Sequence, residues 1–291
     1  MARPDLQAFQ IYYDDASKAA LAPGFIPLDN TSNLRPDWFE FWVMLNYLRE
    51  HELEEGVWYG FFSPKFSLKS GFDHDFIVAT VDRYGSAADV ALFSPGWDQM
   101  AYFLNPWEQG EVWHPGLMEL SQRLLHEMGI EIDLRGLICD ASSTVFSNYV
   151  LAKRDYWIAW RQLAEKLFAC LEYPAAEYGG AGDSSRIHRD DLRADTTYGK
   201  RLRDTPMKTF IQERLANVLI CSGRFQVVSP DQSATAAILA RMFPGGPEVR
   251  YLLQTCDLMK RKYRSTGDPQ YLRQYWAARK NIRMIPPPRA D

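Results

Sequence analysis

The fold is decided by the run Val57-Trp58-Tyr59-Gly60-Phe61-Phe62-Ser63-Pro64-Lys65. Its first six residues are continuously apolar and have the length of a strand, so they predict a β-strand that is buried on both faces. Ser63-Pro64 predicts a turn at the end of that strand. Because a sheet that is buried on both faces needs a layer of helices on each side, we expect an α/β fold.

Predicted strands and helices alternate on either side of this run, which favours a mostly parallel, Rossmann-like central sheet flanked by helices. We expect one domain over residues 1–235 and a helical C-terminal extension over 236–291. The stretch at about 178–206 is rich in Gly, Ser, Asp and Arg, so we expect a mobile loop there that could act as a lid. The predicted strands are 9–13, 57–62, 89–93, 147–153 and 224–228, and the predicted helices are 38–53, 75–84, 117–128, 155–171, 206–221, 248–263 and 269–282.

Composition excludes several classes of protein. The 291 residues are 46% hydrophobic and 14% aromatic, which is incompatible with global disorder. The net charge of −4 argues against nucleic acid as the main partner. Cysteine occurs at four widely separated positions, which predicts reduced thiols, and no signal peptide or membrane-length apolar window is present, so we expect a cytoplasmic protein. The cysteines are Cys139, Cys170, Cys221 and Cys256.

The C-terminal extension reverses the charge of the chain as a whole. Between Asp257 and Arg289 there are nine Lys or Arg residues and two Asp residues. A solvated helix face is the commoner explanation of such a pattern. The alternative is a peripheral contact with anionic lipid head groups at the inner face of a membrane, or with a partner.

Strong catalytic motifs are absent, and the five histidines have no metal-ligand spacing. Asp73-His74-Asp75 is an Asp-x-Asp sequence, which can hold Mg²⁺ or Mn²⁺ against a nucleotide diphosphate. It precedes a predicted helix, so helix capping by Asp73 or Asp75 is the favoured explanation. A nucleotide hydrolase that uses these two carboxylates remains a third alternative for the function.

Two further groups carry possible chemistry. Glu213, with Arg214 beside it, lies in a predicted amphipathic helix just after the predicted loop, and a carboxylate there could accept a proton from an incoming hydroxyl. An exposed or ion-paired glutamate is the commoner case. Lys65 and Lys69 follow the decisive strand and could neutralise phosphate oxygens in place of a metal, although solvated loop lysines are an equally good explanation.

In order along the chain, residues 7–231 resemble the GT-A type of nucleotide-sugar glycosyltransferase. The resemblance is closer to an uncharacterised branch that occurs with bacterial capsule and surface-polysaccharide genes. The segments that carry it are Gly24-Phe25-Ile26-Pro27-Leu28, the predicted helix over 36–50, Trp58-Tyr59-Gly60-Phe61-Phe62-Ser63-Pro64-Lys65-Phe66, Phe146-Ser147-Asn148-Tyr149-Val150-Leu151-Ala152-Lys153, and Phe210-Ile211-Gln212-Glu213-Arg214-Leu215-Ala216-Asn217.

The resemblance implies a nucleotide-sugar donor bound at the carboxyl ends of the first and third strands, and a saccharide or lipid-linked acceptor. Glu213 would be the general base that deprotonates the acceptor hydroxyl, with Asn148 positioning the acceptor. A single displacement would then invert the anomeric centre. The implied donor-binding residues are Asp14, Asp29, Asn30, Lys65 and Lys69, and the implied acceptor-binding residues are Arg214 and Lys153.

The sequence departs from the superfamily at one place. Ser63-Pro64-Lys65 stands where an Asp-x-Asp is usual, so dependence on Mn²⁺ or Mg²⁺ is left open. This departure also leaves open a non-catalytic member of the same fold, a binding or scaffold subunit of a polysaccharide assembly complex. The two alternatives differ in geometry, because a catalyst should hold Lys65, Asn148 and Glu213 around one cleft.

Overall fold

The computed structural model describes residues 5–172, 184–185 and 205–286, which form two compact units. The first unit comprises the described parts of Met1–Pro95, Val145–Lys166 and Gln212–Pro230. The second comprises those of Gly96–Thr144, Leu167–Ile211 and Asp231–Asp291. The predicted boundary between residues 235 and 236 therefore falls inside the second unit.

The first unit is built on a six-stranded sheet with the strand order β2-β1-β3-β5-β4-β8. β1 pairs in parallel with β2 and β3, and β4 pairs in parallel with β8. β5 is antiparallel to both of its neighbours, β3 and β4. The prediction of an α/β fold with a mostly parallel sheet is thus confirmed. The strands of this sheet are β1 Leu6–Tyr12, β2 Ile26–Asp29, β3 Trp58–Phe62, β4 Val90–Leu92, β5 Val150–Lys153 and β8 Val227–Val228.

Most helices lie where the sequence predicts them, with ends that shift by a few residues. Four short ones, α1, α3, α5 and α6, were not predicted. The helices are α1 Asp15–Ala19, α2 Phe39–Glu50, α3 Phe66–Ser70, α4 His74–Tyr84, α5 Trp97–Tyr102, α6 Pro106–Trp113, α7 Leu117–Glu127, α8 Arg154–Glu172, α9 Met207–Gln212, α10 Leu215–Cys221, α11 Gly246–Thr266 and α12 Pro269–Lys280, and a 3₁₀ turn covers Pro36–Trp38.

The decisive strand β3 is buried on both faces, as its sequence predicts. On one face Trp58 and Phe62 join a core cluster with side chains of α3 and α4. On the other face the ring of Phe61 packs 5.0 Å from Trp157 of α8, whose indole nitrogen donates to the carbonyl of Tyr59 at 2.9 Å. A side chain at Gly60 would lie 2.8 Å from Leu151 of β5, so this position accepts only glycine without repacking.

Two features of the predicted organisation need correction or lie beyond the described residues. The helix predicted over 206–221 is interrupted, because α9 ends at Gln212 and α10 begins at Leu215. The apolar pattern runs through the break, so periodicity could not reveal it. The mobile loop predicted at 178–206 lies outside the described residues, except for β6 (Ser184–Ser185) and β7 (Thr205–Pro206), which pair antiparallel.

Helices dominate the second unit, and its interior contains a buried charge. Lys260 of α11 has no exposed surface and donates to the carbonyls of Met100 and Phe103. These bonds tie α11 to the end of α5, since burying an ammonium group requires its protons to be bonded. All four cysteines are free thiols. No helix of the described residues is long and apolar enough to cross a membrane.

The side chain of Asn217 in α10 makes two hydrogen bonds to the backbone just before β5. Its side chain is fully buried, and it accepts from the amide of Val145 at 2.7 Å and donates to the carbonyl of the same residue at 2.9 Å. Because Asn217→Ala removes both bonds, we expect it to lower the free energy of unfolding by about 2–4 kcal/mol. Urea denaturation measures the loss. The matched variant Asn46→Ala removes only a solvent-exposed contact to Arg49 and should change stability by less than about 0.5 kcal/mol.

Candidate functional site

The carboxyl ends of the parallel strands β1, β2 and β3 meet at one edge of the sheet. β5 runs in the opposite direction, so its amino end, which follows Asn148 and Tyr149, lies at the same edge. A hydrogen bond of 2.6 Å between the hydroxyl groups of Ser63 and Tyr149 joins the turn after β3 to the residue before β5. This edge is where open α/β sheets bind ligands.

Two side-chain contacts hold the segment between α9 and α10 against this edge. The amide nitrogen of Gln212 donates to the carbonyl of Trp38 at 3.2 Å, which places Glu213 next to the start of α2. Asn217 binds Val145, which precedes Ser147 and Asn148 by only a few residues. Glu213 itself stands in the two-residue break between the helices.

Glu40, in the first turn of α2, is a strongly perturbed acid at this edge. It is half-buried, and loss of solvation raises the pKa of its carboxyl group from 4.5 to about 7. The positive charges of Lys69 and Lys65 oppose this rise, and the negative charge of Glu213 adds to it. Burial also raises the pKa of Glu213, against the opposing charges of Arg214 and Lys69. The two carboxyl groups therefore share one electrostatic environment with two lysines.

Arg214 and Tyr149 belong to the same environment. Arg214 is 5% exposed, and burial lowers the pKa of its guanidinium to about 10, with Glu213 opposing the shift. Burial raises the pKa of the Tyr149 hydroxyl well above its usual range, and the charges of Glu40 and Glu213 raise it further. Tyr149 is therefore a neutral hydroxyl at physiological pH, held in place by Ser63.

Several oxygen atoms at this edge accept no hydrogen bond from the described residues. Oδ1 of Asn148 and Oε1 of Gln212 are both buried and have no donor partner there. Neither Glu40 nor Glu213 makes a hydrogen bond or an ion pair within the part of the chain that the structure describes. Buried acceptors without donors are rare, because each one loses its hydration. These oxygen atoms could therefore accept hydrogen bonds from a ligand.

The backbone around these groups is strained. Phe39, immediately before Glu40, has φ 49° and ψ −134°, and Ser147 and Asn148 have φ values of 59° and 54°. Residues other than glycine seldom adopt a positive φ, and each such residue lowers the stability of the folded chain by about 1–3 kcal/mol. Strain of this kind concentrates at functional sites.

The three residues predicted near the base or ribose lie at or just after the carboxyl ends of β1 and β2, at this edge. Asp14 caps α1 by accepting from the amide of Ser17 at 2.7 Å. Asp29 is exposed and accepts from the amide of Thr31 at 2.8 Å, a bond that holds the pKa of its carboxyl group below the usual range. Asn30 is buried, and its amide donates to the carbonyl of Tyr12 at 2.8 Å. Their role in donor binding stays a prediction.

Lys153 is not brought to the site. It is the last residue of β5 and pairs with Trp58 at the start of β3, so it lies at the opposite edge of the sheet. Its ammonium group is 3.8 Å from a carboxylate oxygen of Asp89, in a groove of 410 Å³ that Arg154 and Arg224 also line. The position of Lys153 argues against the acceptor-binding role predicted for it, because β5 separates it from Asn148.

Neither Asp73-His74-Asp75 nor the turn after β3 has the arrangement of ligands that a metal ion needs. Asp73 caps α4 by accepting from the amide of Phe76 at 2.8 Å, as favoured from the sequence, and the side chain of Asp75 is fully exposed. The hydroxyl of Ser63 is bonded to Tyr149, and Lys65 brings a positive charge to the turn. No group of three or more His, Cys, Asp or Glu side chains that could hold a metal ion occurs within residues 5–172, 184–185 and 205–286.

Comparison of the chain with models of protein families, with curated proteins and with solved structures gave no match. The assignment of function therefore depends on the geometry and chemistry of this edge.

The sequence predicted that Lys65, Lys69, Asn148 and Glu213 belong to one site, but it did not identify Glu40. Glu40 lies in a run whose apolar periodicity predicts a helix, so its acidic side chain looked like an ordinary polar position. A signal was nevertheless present. Pro36 favours the start of a helical turn, and residues 36–38 form a separate 3₁₀ turn that ends just before α2 begins at Phe39, which places Glu40 in the first turn of the helix.

The raised pKa of Glu40 predicts a pH dependence of stability. Between about pH 4.5 and about pH 7 the carboxyl group is protonated in the folded chain and ionised in the unfolded chain, so the free energy of unfolding should fall as the pH rises through this window. Glu40→Gln should remove up to about 3 kcal/mol of this decline. Urea denaturation at several pH values measures it. Glu50→Gln, an exposed position on the same helix, should leave the decline unchanged.

Proposed function

We propose that this protein is a glycosyltransferase of the GT-A type, which moves a sugar from a nucleotide-sugar donor to a saccharide or lipid-linked acceptor in bacterial surface-polysaccharide synthesis. One observation carries the proposal. The carboxyl edge of the sheet combines the cations Lys65 and Lys69 with buried amide oxygens, on Asn148 and Gln212, that accept no hydrogen bond from the described residues. A mostly parallel sheet flanked by helices is also what the resemblance to this class of enzyme requires.

The chemistry of the site fits a sugar joined to a diphosphate. Sugar hydroxyl groups are hydrogen-bond donors, and they would satisfy the bare oxygen atoms of Asn148 and Gln212. Phosphate oxygens are acceptors with negative charge, and they suit the ammonium groups of Lys65 and Lys69.

In the proposed reaction Glu213 removes the proton of the acceptor hydroxyl. The hydroxyl oxygen then forms a bond to the anomeric carbon, while the bond from that carbon to the diphosphate oxygen breaks and its electron pair leaves with the nucleoside diphosphate. The raised pKa of Glu213 makes it a stronger base than a solvated glutamate. Lys65 and Lys69 stabilise the charge that develops on the departing phosphate. Attack from the opposite side inverts the anomeric centre.

Two neighbouring residues would position the acceptor and the base. Asn148 stands before β5 in a left-handed conformation, and its unpaired Oδ1 is available to a hydroxyl of the acceptor. Arg214 is buried beside Glu213, where its positive charge opposes the rise in the pKa of the Glu213 carboxyl group. No step is assigned to a metal ion, because Ser63 and Lys65 are unsuitable as its ligands.

The alternative of a non-catalytic scaffold is less well supported. A scaffold has no need to bring Lys65, Asn148 and Glu213 to one edge, nor to keep two half-buried carboxyl groups that make no hydrogen bond with the described residues. Such carboxyl groups destabilise the folded chain, and that cost is understandable where a ligand satisfies them.

The proposal is tested by binding and turnover. Isothermal titration with UDP-, GDP-, ADP- and dTDP-sugars should identify one donor family, with affinity that persists in EDTA. Lys65→Ala should weaken that affinity by about 10–100-fold, because it removes a charged contact to phosphate. Lys262→Ala, an exposed lysine of α11, is the matched control. Failure of every nucleotide sugar to bind would favour the scaffold.

Glu213→Gln separates catalysis from binding. We expect donor affinity to stay within about threefold of the wild type, whereas the rate of acceptor-dependent nucleotide release should fall by about 10²–10⁴-fold. Glu127→Gln, an exposed glutamate of α7, should leave both quantities unchanged. A variant at Glu213 that retained full turnover would contradict the assignment of the base.

We also propose that the C-terminal helices bring the enzyme to an anionic membrane surface. Part of the basic tail is structural: Lys260 is buried, and Arg261, Arg264 and Arg279 pair with acidic side chains. The remaining exposed cations make no ion pair within the described residues, and the indole of Trp276, 47% exposed, lies among those of α12. Aromatic and basic side chains together suit a lipid head-group layer. These cations are Lys262, Arg273, Lys280 and Arg283.

Vesicle sedimentation tests the membrane contact. The wild type should bind vesicles that contain phosphatidylserine but not pure phosphatidylcholine, with binding that weakens as salt rises. The double variant R273E/K280E should lose at least about tenfold in affinity, at roughly 1 kcal/mol per basic residue. The double variant R123E/R135E reverses two exposed charges elsewhere and serves as the control. Equal binding by both variants would contradict a contact through α12.

A further inference from the structure

The side chain of Gln10 is a buried polar group that contacts the turn after β3. It belongs to β1 and is 1% exposed. Its amide nitrogen donates to the carbonyl of Ser63 at 3.3 Å and, over a longer 3.5 Å, to that of Pro64. The turn that leads to Lys65 is therefore held from β1 as well as by the bond between Ser63 and Tyr149.

The oxygen atom of the same side chain holds a second segment. Oε1 of Gln10 accepts from the backbone amide of Ala22 at 2.7 Å. Ala22 packs against the core cluster that contains Phe62, and the chain continues from there into β2. β2 ends at Asp29, which is one of the residues predicted near the base or ribose. One side chain thus joins the segment before β2 to the turn after β3.

An amide side chain suits this position because it both donates and accepts. The N–H of Ala22 needs an oxygen atom, whereas the two carbonyls of the turn need an N–H group, so these partners fix which way the amide of Gln10 points. A methionine of similar length would serve neither segment. The two segments therefore keep their spacing through hydrogen bonds that this side chain supplies.

The position of the turn determines where two lysines lie. Lys65 immediately precedes α3, and the backbone N–H of Lys69 donates to its carbonyl at 2.9 Å, so the two side chains leave the same side of this helical turn. Phe66, between them, is fully buried, and its ring lies 5.0 Å from that of Tyr149. The turn and α3 are thus anchored together, and a shift of the Ser63 carbonyl would move Lys65.

We propose that Gln10 is a positioning residue for the donor. It holds the backbone of the turn where the side chain of Lys65 meets the diphosphate, and it ties that turn to the segment that leads to the predicted base or ribose residues. The inference rests on the function proposed above and adds a residue that touches neither donor nor acceptor. Because Gln10 acts through Lys65, its contribution to donor affinity should vanish when the lysine side chain is removed.

A double-mutant cycle tests the proposal. Isothermal titration gives the donor affinity of the wild type, Gln10→Met, Lys65→Ala and the double variant, at a temperature where circular dichroism shows all four to be folded. The probe is whichever of UDP-glucose, GDP-glucose, ADP-glucose and dTDP-glucose binds the wild type. We expect Gln10→Met to weaken binding by about 5–20-fold, and the double variant to bind within about twofold of Lys65→Ala alone. Gln10→Asn, whose amide is one methylene too short to reach the turn, should repeat this pattern and replaces Gln10→Met if that variant does not fold.

Two matched variants separate positioning from loss of stability. Gln7→Met changes a glutamine of the same strand whose side chain makes no hydrogen bond with the described residues. Asn105→Ala removes a buried amide that donates to the carbonyls of Leu134 and Leu137, so it should lower stability much as Gln10→Met does. Both variants should bind the probe as the wild type does.

Three results would overturn the inference and leave the proposed function intact. They are wild-type affinity in Gln10→Met, an equal loss of affinity in Asn105→Ala, and a double variant weaker than Lys65→Ala by the full factor seen for Gln10→Met. If none of the four probes bound the wild type, the proposed function would fail and this inference with it.

Discussion

The site depends on the direction of a single strand. β5 is inserted between β3 and β4 and runs against both, so its amino end reaches the edge where the parallel strands end. Had β5 been parallel, Asn148 and Tyr149 would lie at the other edge, in the position that Lys153 now occupies. The bond between Ser63 and Tyr149 and the bracing of Val145 by Asn217 both follow from this reversal.

The sequence was a good guide where one physical signal dominated. The continuous apolar run at 57–62 predicted β3 and its burial, and helical periodicity predicted α2, α8, α11 and α12 with errors of a few residues at their ends. The reversal of β5 could not be predicted, because strand direction depends on pairing partners and leaves no trace in local periodicity. β2 was missed because Pro27 interrupts it, and it holds only the edge position beside β1.

The candidate site was predictable only in part. Lys65, Asn148 and Glu213 were identified from their positions after or before strands and from a resemblance, and they do lie at one edge. Glu40 and the unpaired amide oxygens escaped notice because their character arises from burial and missing partners, which are properties of the folded chain. The break at Glu213–Arg214 was also not predicted, because the apolar pattern fits one continuous helix. In the folded chain Gln212 binds the carbonyl of Trp38 and Asn217 binds Val145, so the two halves contact different segments.

The order of the segments in the first unit also affects how the chain can fold as the ribosome makes it. β3 and β4 have both been synthesised by residue 92, but the strand that fills the gap between them begins only at Val150. Until then each of them has an unpaired edge, and such edges can pair with other chains. β8 follows later still, at Val227. The sheet can therefore close only late in translation, so this protein should depend more on chaperones that shield nascent strands than a protein whose strands pair in chain order.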